Sequence, residues 1–266
     1  MHPFKKYKWF TKVYAFLSST VNDDLPEDAT TSKDSKEKKL PELTAEMKSI
    51  HQHYFKSPWY ISVADIDDIH VGGKDINTLY GFQHVNDTII DFYLQAIVKR
   101  SAQNKQWPKC CALNSFFCRN LRKFGYKSIR RWTKNLDIFS FDKIFIPVHF
   151  RIPTHWCLAT IDLKTQTISM YDSLGKDRDD ILKLFPNFIE SEHLDKRKSP
   201  FDASSFKLVN VKDIPLQENG WDCGMFVMKY AEYLSRNAKL TFTQQDIPYF
   251  RKRMVYEIVN NVVIHP

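Results

Sequence analysis

Glycine is scarce, with 7 in 266 residues and no periodic spacing. That excludes collagen-like and low-complexity architectures. No apolar run approaches the roughly 18 residues that would read as a membrane helix. The cysteines number 5, an odd count, and no Cys-x-x-Cys or paired His/Cys spacing occurs. A disulfide framework and a structural zinc site are therefore not expected, and a reducing compartment is the simplest setting. There is no internal repeat, and nothing in the text resembles an RNA-recognition, zinc-finger or homeodomain signature. The excess of 39 basic over 31 acidic residues, a formal charge of +8, permits acidic partners but does not by itself imply nucleic acid. Near the start, Val13 to Leu17 is too short, and too close to Lys12, to be the apolar centre of a signal peptide.

What remains is a chain with ample core material: 43% hydrophobic residues, 20 of them Phe. Residues 1–41 form a polar tail in which Asn22 to Lys39 cannot bury a face, although Trp9 and Phe10 could dock on something. Residues 42–266 are enough for one sizeable core. Leu43 to Phe55 has helical spacing, and Ser62 to Asn77 reads as a strand and a turn around Gly72-Gly73. Asn86 or Asp87 caps a helix whose Ile89, Phe92, Tyr93, Ala96 and Ile97 share a face. Phe116, Phe117, Asn120, Leu121 and Phe124 suggest another, stopped by Gly125. Ile144 to Phe150, Trp156 to Leu163 and Thr167 to Tyr171 read as strands. Helices follow Cys223 and Asp246-Ile247-Pro248. Strands in the middle with helices on both flanks give an α+β domain.

The chemistry concentrates in three places: His155-Trp156, then Asp172 within Tyr171-Asp172-Ser173-Leu174-Gly175, then Gln217 and Cys223 within Gln217-Glu218-Asn219-Gly220-Trp221-Asp222-Cys223-Gly224. A thiol nucleophile needs an imidazole to take its proton and a third group to orient the ring. Two antiparallel strands joined by Lys164-Thr165-Gln166 would bring His155 and Asp172 side by side. Asn219-Gly220 turns the chain so that Cys223 opens a helix, where free N–H groups favour a thiolate. A glutamine amide near the thiol can stabilise an oxyanion.

Taken together, His-Trp-x-Leu-x-x-Ile-Asp-Leu, Tyr-Asp-Ser-Leu-Gly and Gln-x-Asn-Gly-x-Asp-Cys-Gly resemble the SUMO-specific (sentrin-specific) cysteine proteases, the Ulp/SENP family. Asn86-Asp87-Thr88-Ile89-Ile90-Asp91-Phe92-Tyr93, Arg131-Trp132-Thr133-Lys134 and Phe242-Thr243-Gln244-Gln245 through Pro248-Tyr249-Phe250-Arg251-Lys252-Arg253-Met254 are similar to further stretches of that family. The resemblance runs from about Pro41 to His265. It implies a papain-like fold of the Ulp/SENP type, a central mixed sheet flanked by helices. It implies a triad of Cys223, His155 and Asp172, with Gln217 in the oxyanion hole. Trp156 would cover a tunnel for the Gly-Gly tail of the modifier, and His84 would form its other wall where the family carries tryptophan. Asp87, Arg131, Trp132 and Lys134 would contact the folded body of SUMO. Trp221 stands where a smaller residue is usual.

These resemblances imply hydrolysis after the C-terminal Gly-Gly of SUMO, in precursor maturation and in deconjugation from lysine. The expected partners are SUMO and SUMO-conjugated proteins. No cofactor, metal or nucleic acid is expected, and the chain is expected to be a monomer. The location would be the nucleus, with the nuclear envelope or cytoplasm as variants. Two alternatives stand beside this one: a protease for another ubiquitin-like modifier such as NEDD8, and a non-catalytic SUMO-binding module. The basic runs Lys196-Arg197-Lys198 and Arg251-Lys252-Arg253 read as solvated surface, with nuclear import as a lesser option.

Overall fold

The computed structural model describes residues 40–265. The expected tail, all but its last two residues, and the Trp9-Phe10 patch lie outside them. The elements in chain order are α1 (Ala45–Tyr54), β1 (Ser62–Ile66), β2 (Ile69–Gly72), the single turn α2 (Gly73–Ile76), α3 (Asp87–Ala102), β3 (Cys110–Ala112), α4 (Phe117–Phe124), β4 (Lys143–Arg151), β5 (Thr154–Asp162), β6 (Thr167–Tyr171), α5 (Asp179–Leu182), α6 (Phe185–Arg197), β7 (Lys207–Asn210), α7 (Cys223–Leu234) and α8 (Ile247–Val259).

The main sheet has the order β3-β4-β5-β6-β7. Its inner pairs β4-β5 and β5-β6 are antiparallel, and its outer pairs are parallel. The sheet is mixed because hairpins join the middle strands while longer helical excursions lead to the edges. Alternation along the strands divides the core. Phe145, Trp156 and Leu158 face a cluster with α3, α7 and α8. Ile144, Ile146, Val148, Cys157, Ala159 and Ile161 face a second cluster with α4, α5 and α6. Side chains of a strand point to opposite faces in turn, so β5 serves both layers.

The helices obey local rules. Asn86, not Asp87, caps α3, its side chain accepting from the Ile89 N–H at 3.1 Å. Gly125, with φ of +71°, ends α4, where a side chain would be strained. α7 is buried nearly all round because it runs between β5 and α3. It even carries a fully buried Lys229, whose ammonium lies 3.3 Å from Glu232 and over the Phe250 ring. Burial brings this lysine down to about 8.

Three sequence expectations need correction. The turn between β1 and β2 lies at Asp67-Asp68, and Gly72-Gly73 instead opens α2; a Cβ on Gly73 would come within 1.9 Å of the Pro58 carbonyl oxygen. On α4 the buried face is Phe117, Cys118 and Leu121, while Phe116 and Phe124 are exposed. Arg251 and Arg253 are not solvated surface: both are buried, Arg251 on Asp222 and Arg253 on Glu257. Their aliphatic stems fill the inner face of α8, and carboxylates meet their charges.

Candidate active site

Asp172 follows the last residue of β6. The β5-β6 ladder ends at Leu158 opposite Tyr171. Continued by one step, that register sets Asp172 opposite Cys157, two residues from His155 on the same strand face. The carboxylate therefore reaches diagonally to the ring. His155 Nε2 and Asp172 Oδ1 are 2.7 Å apart, and both residues are about 2% exposed. Cys157 completes a tight buried group with them. The Leu174 N–H donates to the same oxygen at 2.8 Å, and Arg178 Nε donates to Oδ2 at 2.7 Å. Burial pushes Asp172 upward, but the hydrogen bonds of His155 and Leu174, with the charges of His155 and Arg178, bring it to about 2. An ionised carboxylate makes Nε2 the protonated nitrogen of a neutral ring and leaves Nδ1 with the lone pair.

Cys223 opens α7 and is 1% exposed. Burial pushes its thiol up, against donation from the backbone N–H groups of Trp156, Gly224 and Cys223 itself. The Trp156 contact puts the sulfur beside the backbone of the residue next to His155. Gly224 is closely approached: a Cβ there would stand 3.1 Å from Cβ of Val85 and 3.3 Å from Ile90, so those side chains would have to give by a few tenths of an ångström.

The loop before Cys223 is wound around Asn219. Its side-chain oxygen accepts from the Trp221 and Asp222 N–H groups, each at 3.1 Å, and its amide donates to Asp222 Oδ2 at 2.7 Å. Asp222 is anchored in turn by Arg251, which donates to Oδ1 from Nε at 2.9 Å and from a terminal nitrogen at 2.6 Å. Arg251 also donates to the Thr78 and Gln83 carbonyls, at 3.1 and 2.8 Å. Gln217 is held at the other end. Its Oε1 accepts from Ser173 Oγ at 2.6 Å, which turns its NH₂ away from Ser173 and onto the Asn219 carbonyl at 2.5 Å.

His155, Asp172, Cys223 and Gln217 are thus joined through a few short links. Trp156 is 5% exposed and stacks on His149, centroids 4.3 Å apart. His84 is exposed and follows Gln83, directly before the Val85 that abuts Gly224. Asp87 is half-buried and accepts from the Thr88 N–H, and its charge is felt by His149. Arg131 and Lys134 form a separate group. With Arg130, Asp195 and Lys196 they line a basic hollow, and Trp132, 40% exposed, packs against Phe117. Trp221 packs on Phe82 at 5.1 Å and lines an apolar groove of about 360 Å³ with Tyr80, Ile247 and Pro248.

Ser173, Arg178 and Arg251 escaped the sequence reading as parts of this site. Ser173 lies inside the Tyr171-Asp172-Ser173-Leu174-Gly175 motif, where a serine by itself carries no signal. Arg251 sits in a basic run whose composition is that of a solvated face. Arg178, six positions after Asp172, has no local signal at all.

The family profile of the Ulp1 protease family, C-terminal catalytic domain, matches residues 83–263. A sentrin-specific protease of Caenorhabditis elegans is 42% identical over 200 residues, covering 75% of this chain and 28% of that protein. Sentrin-specific protease 2 of Rattus norvegicus is 33% identical over 235 residues, 87% of this chain and 40% of that one. The chain thus spans well under half the length of these relatives. Among solved structures, the yeast Ulp1 C-terminal protease domain in complex with Smt3, the yeast ortholog of SUMO, matches with a TM-score of 0.73 and 31% identity, covering 83% of this chain and 97% of that one. The Ulp1-like SUMO protease catalytic domain of Chaetomium thermophilum shares the fold, at a TM-score of 0.70 and 22% identity over 84% of this chain and 92% of that one. The α+β papain-like expectation holds, and the chain belongs to the Ulp1 protease family, whose C-terminal catalytic domain it carries.

Proposed function

We propose that this chain is a cysteine protease that cleaves after the C-terminal Gly-Gly of SUMO, both in the precursor and in conjugates to lysine. The observation that carries the reading is the buried His155–Asp172 pair at 2.7 Å, with the Cys223 sulfur against the neighbouring Trp156 N–H. In this reading the thiol gives its proton to His155 Nδ1 and the sulfur attacks the terminal glycine carbonyl. Burial disfavours an isolated thiolate here, so the imidazolium must be its counter-charge. Gln217 Nε2 exchanges the Asn219 carbonyl for the oxyanion, and the Cys223 N–H is the second donor. His155 then protonates the leaving amine and activates the water that releases the thioester. The thiol and the imidazole carry the proton transfers while Asp172 orients the ring, so the mechanism calls for no cofactor.

Trp156 and His84 are assigned to the two walls of the tail's tunnel, and Asp87, Arg131, Trp132 and Lys134 to the SUMO body. The basic hollow at Arg131 and Lys134 suits an acidic protein face. The reading includes SUMO-conjugated proteins as partners, action as a monomer, no need for nucleic acid, and a nuclear location. Light scattering and fluorescence microscopy test the state and the location. The decisive experiment is hydrolysis of a panel of SUMO and NEDD8 fluorophore conjugates, with Cys223→Ala as control. Cys223-dependent release from SUMO supports the proposal. Release from NEDD8 alone, or SUMO binding without turnover or electrophile labelling of Cys223, overturns it.

A further inference from the structure

Asp172 is held by more than its histidine. The segment after Tyr171 turns back on itself, so that Arg178 returns its side chain to the carboxylate. Oδ2 accepts from Arg178 at 2.7 Å, and Oδ1 accepts from His155 and Leu174 at 2.7 and 2.8 Å. With both oxygens engaged, the carboxylate cannot rotate without losing a bond. Arg178 is fixed on two other sides. Its guanidinium lies 4.1 Å from the centre of the Phe150 ring, near the end of β4. Its backbone N–H donates to Asn210 Oδ1 at 2.8 Å, and the Asn210 amide donates to Asp179 at 2.6 Å. The pair is well covered, Arg178 at 17% and Asp172 at 2% exposure.

We propose that Arg178 is a positioning residue for hydrolysis: it locks the Asp172 carboxylate with Oδ1 toward His155 and supplies its permanent counter-charge. This rests on the reading of Cys223, His155 and Asp172 given above. A buried carboxylate is costly unless it is matched. The imidazole matches it with a full charge only while protonated, whereas a guanidinium does so throughout the cycle. The planar Nε–H also fixes direction, which a mobile ammonium does not. The groups facing Asp172 are His155 and Cys157 from β5, Arg178 from the turn before α5, and Tyr230 from α7. His149 of β4 acts on His155 in turn, and Asp222 on Cys223. Arg178 is the permanent cation bonded to Asp172 itself; Arg251 lies one step out, on Asp222, and Arg119 and Arg151 act on His149.

Removing a fixed positive charge makes every nearby proton harder to lose. In Arg178→Gln both limbs of the kcat/KM pH profile therefore move to higher pH, by about half a unit or more. With the carboxylate free to turn, kcat falls roughly 10-fold while KM for full-length SUMO substrate changes less than about 2-fold. Arg178→Lys keeps the charge without the planar Nε–H: its limbs stay in place and kcat recovers only in part. A substrate-free readout runs beside the kinetics, the pH profile of Cys223 alkylation by iodoacetamide followed by mass spectrometry, and thermal melts confirm folding. A folded Arg178→Gln with wild-type kcat and unmoved limbs in both assays overturns the proposal. If that variant does not fold, Arg178→Lys decides, and wild-type kcat there overturns the geometric role. A shifted alkylation profile in a chain that hydrolyses no modifier would keep the positioning role and sink the proposed function instead.

Discussion

Arg251 ties the last helix to Asp222, the residue before Cys223, and removing it should unsettle both. In Arg251→Met the stem and its packing survive, but four donated hydrogen bonds are lost, two to Asp222 Oδ1 and one each to the Thr78 and Gln83 carbonyls. Asp222 stays buried at 4% exposure, with only Asn219 and Gln244 still donating, both to Oδ2. Breaking a buried pair from one side costs about 3–5 kcal/mol, because the other charge is left uncompensated. For a domain of this size each kcal/mol moves the melting temperature by about 2–4 °C, so the expected loss is roughly 6–20 °C. The assay is thermal unfolding of wild type, Arg251→Met, Asp222→Ala and the double variant. The double variant should lose less than the sum of the singles, since the second change removes the orphaned charge. A drop below about 3 °C in Arg251→Met, or strictly additive losses, would refute the claim that the pair acts as a unit.

Cys223→Ala should abolish cleavage while SUMO binding persists, measured by titration calorimetry; retained turnover sinks the nucleophile. Gln217→Ala should lower kcat by roughly 10–1,000-fold with little change in KM, because the oxyanion exists only near the transition state; a change confined to KM would make Gln217 a binding residue. His84→Trp should lower KM for short Gly-Gly peptides more than for full-length conjugates, and unchanged values for both would remove His84 from the tunnel. Asp172, held at about 2, is stabilising above the ordinary carboxylate range. That contribution should be lost as pH falls from about 4 toward 2, and an Asp172→Asn variant whose acid unfolding matches wild type would contradict it.

Much of this architecture was legible in the sequence where local rules and tertiary demands agree. Asn86 with its apolar stripe, the strands around Lys164-Thr165-Gln166, and Gly125 as a stop are short-range signals, and the structure keeps them. So is the pairing of His155 with Asp172, which follows from a hairpin. The charged parts were harder. Arg251 and Arg253 carry the same letters as a solvated face, and only their partners, Asp222 far back in the chain and Glu257 one turn on, reveal that they are inside. Arg178 reaches Asp172 through a loop whose path no periodicity encodes. β7 and the edge strand β3 are short segments paired in parallel with distant strands, so no turn announces them. The α1 helix was visible by spacing although none of its residues is fully buried.

His155 and Trp156 are adjacent in sequence yet belong to opposite layers, one beside Asp172 and the other in the core with α3 and α7. A strand displaced by one residue would exchange them, putting an indole beside Asp172 and an imidazole in the oily layer. What forbids that error is the nine-rung pairing of β4 with β5, from Lys143–Asp162 to Arg151–Thr154. In the proposed protease, turnover is accordingly a parity check on strand alignment: a chain that had zipped up one step out would still look like a sheet to circular dichroism, and would be silent in an assay.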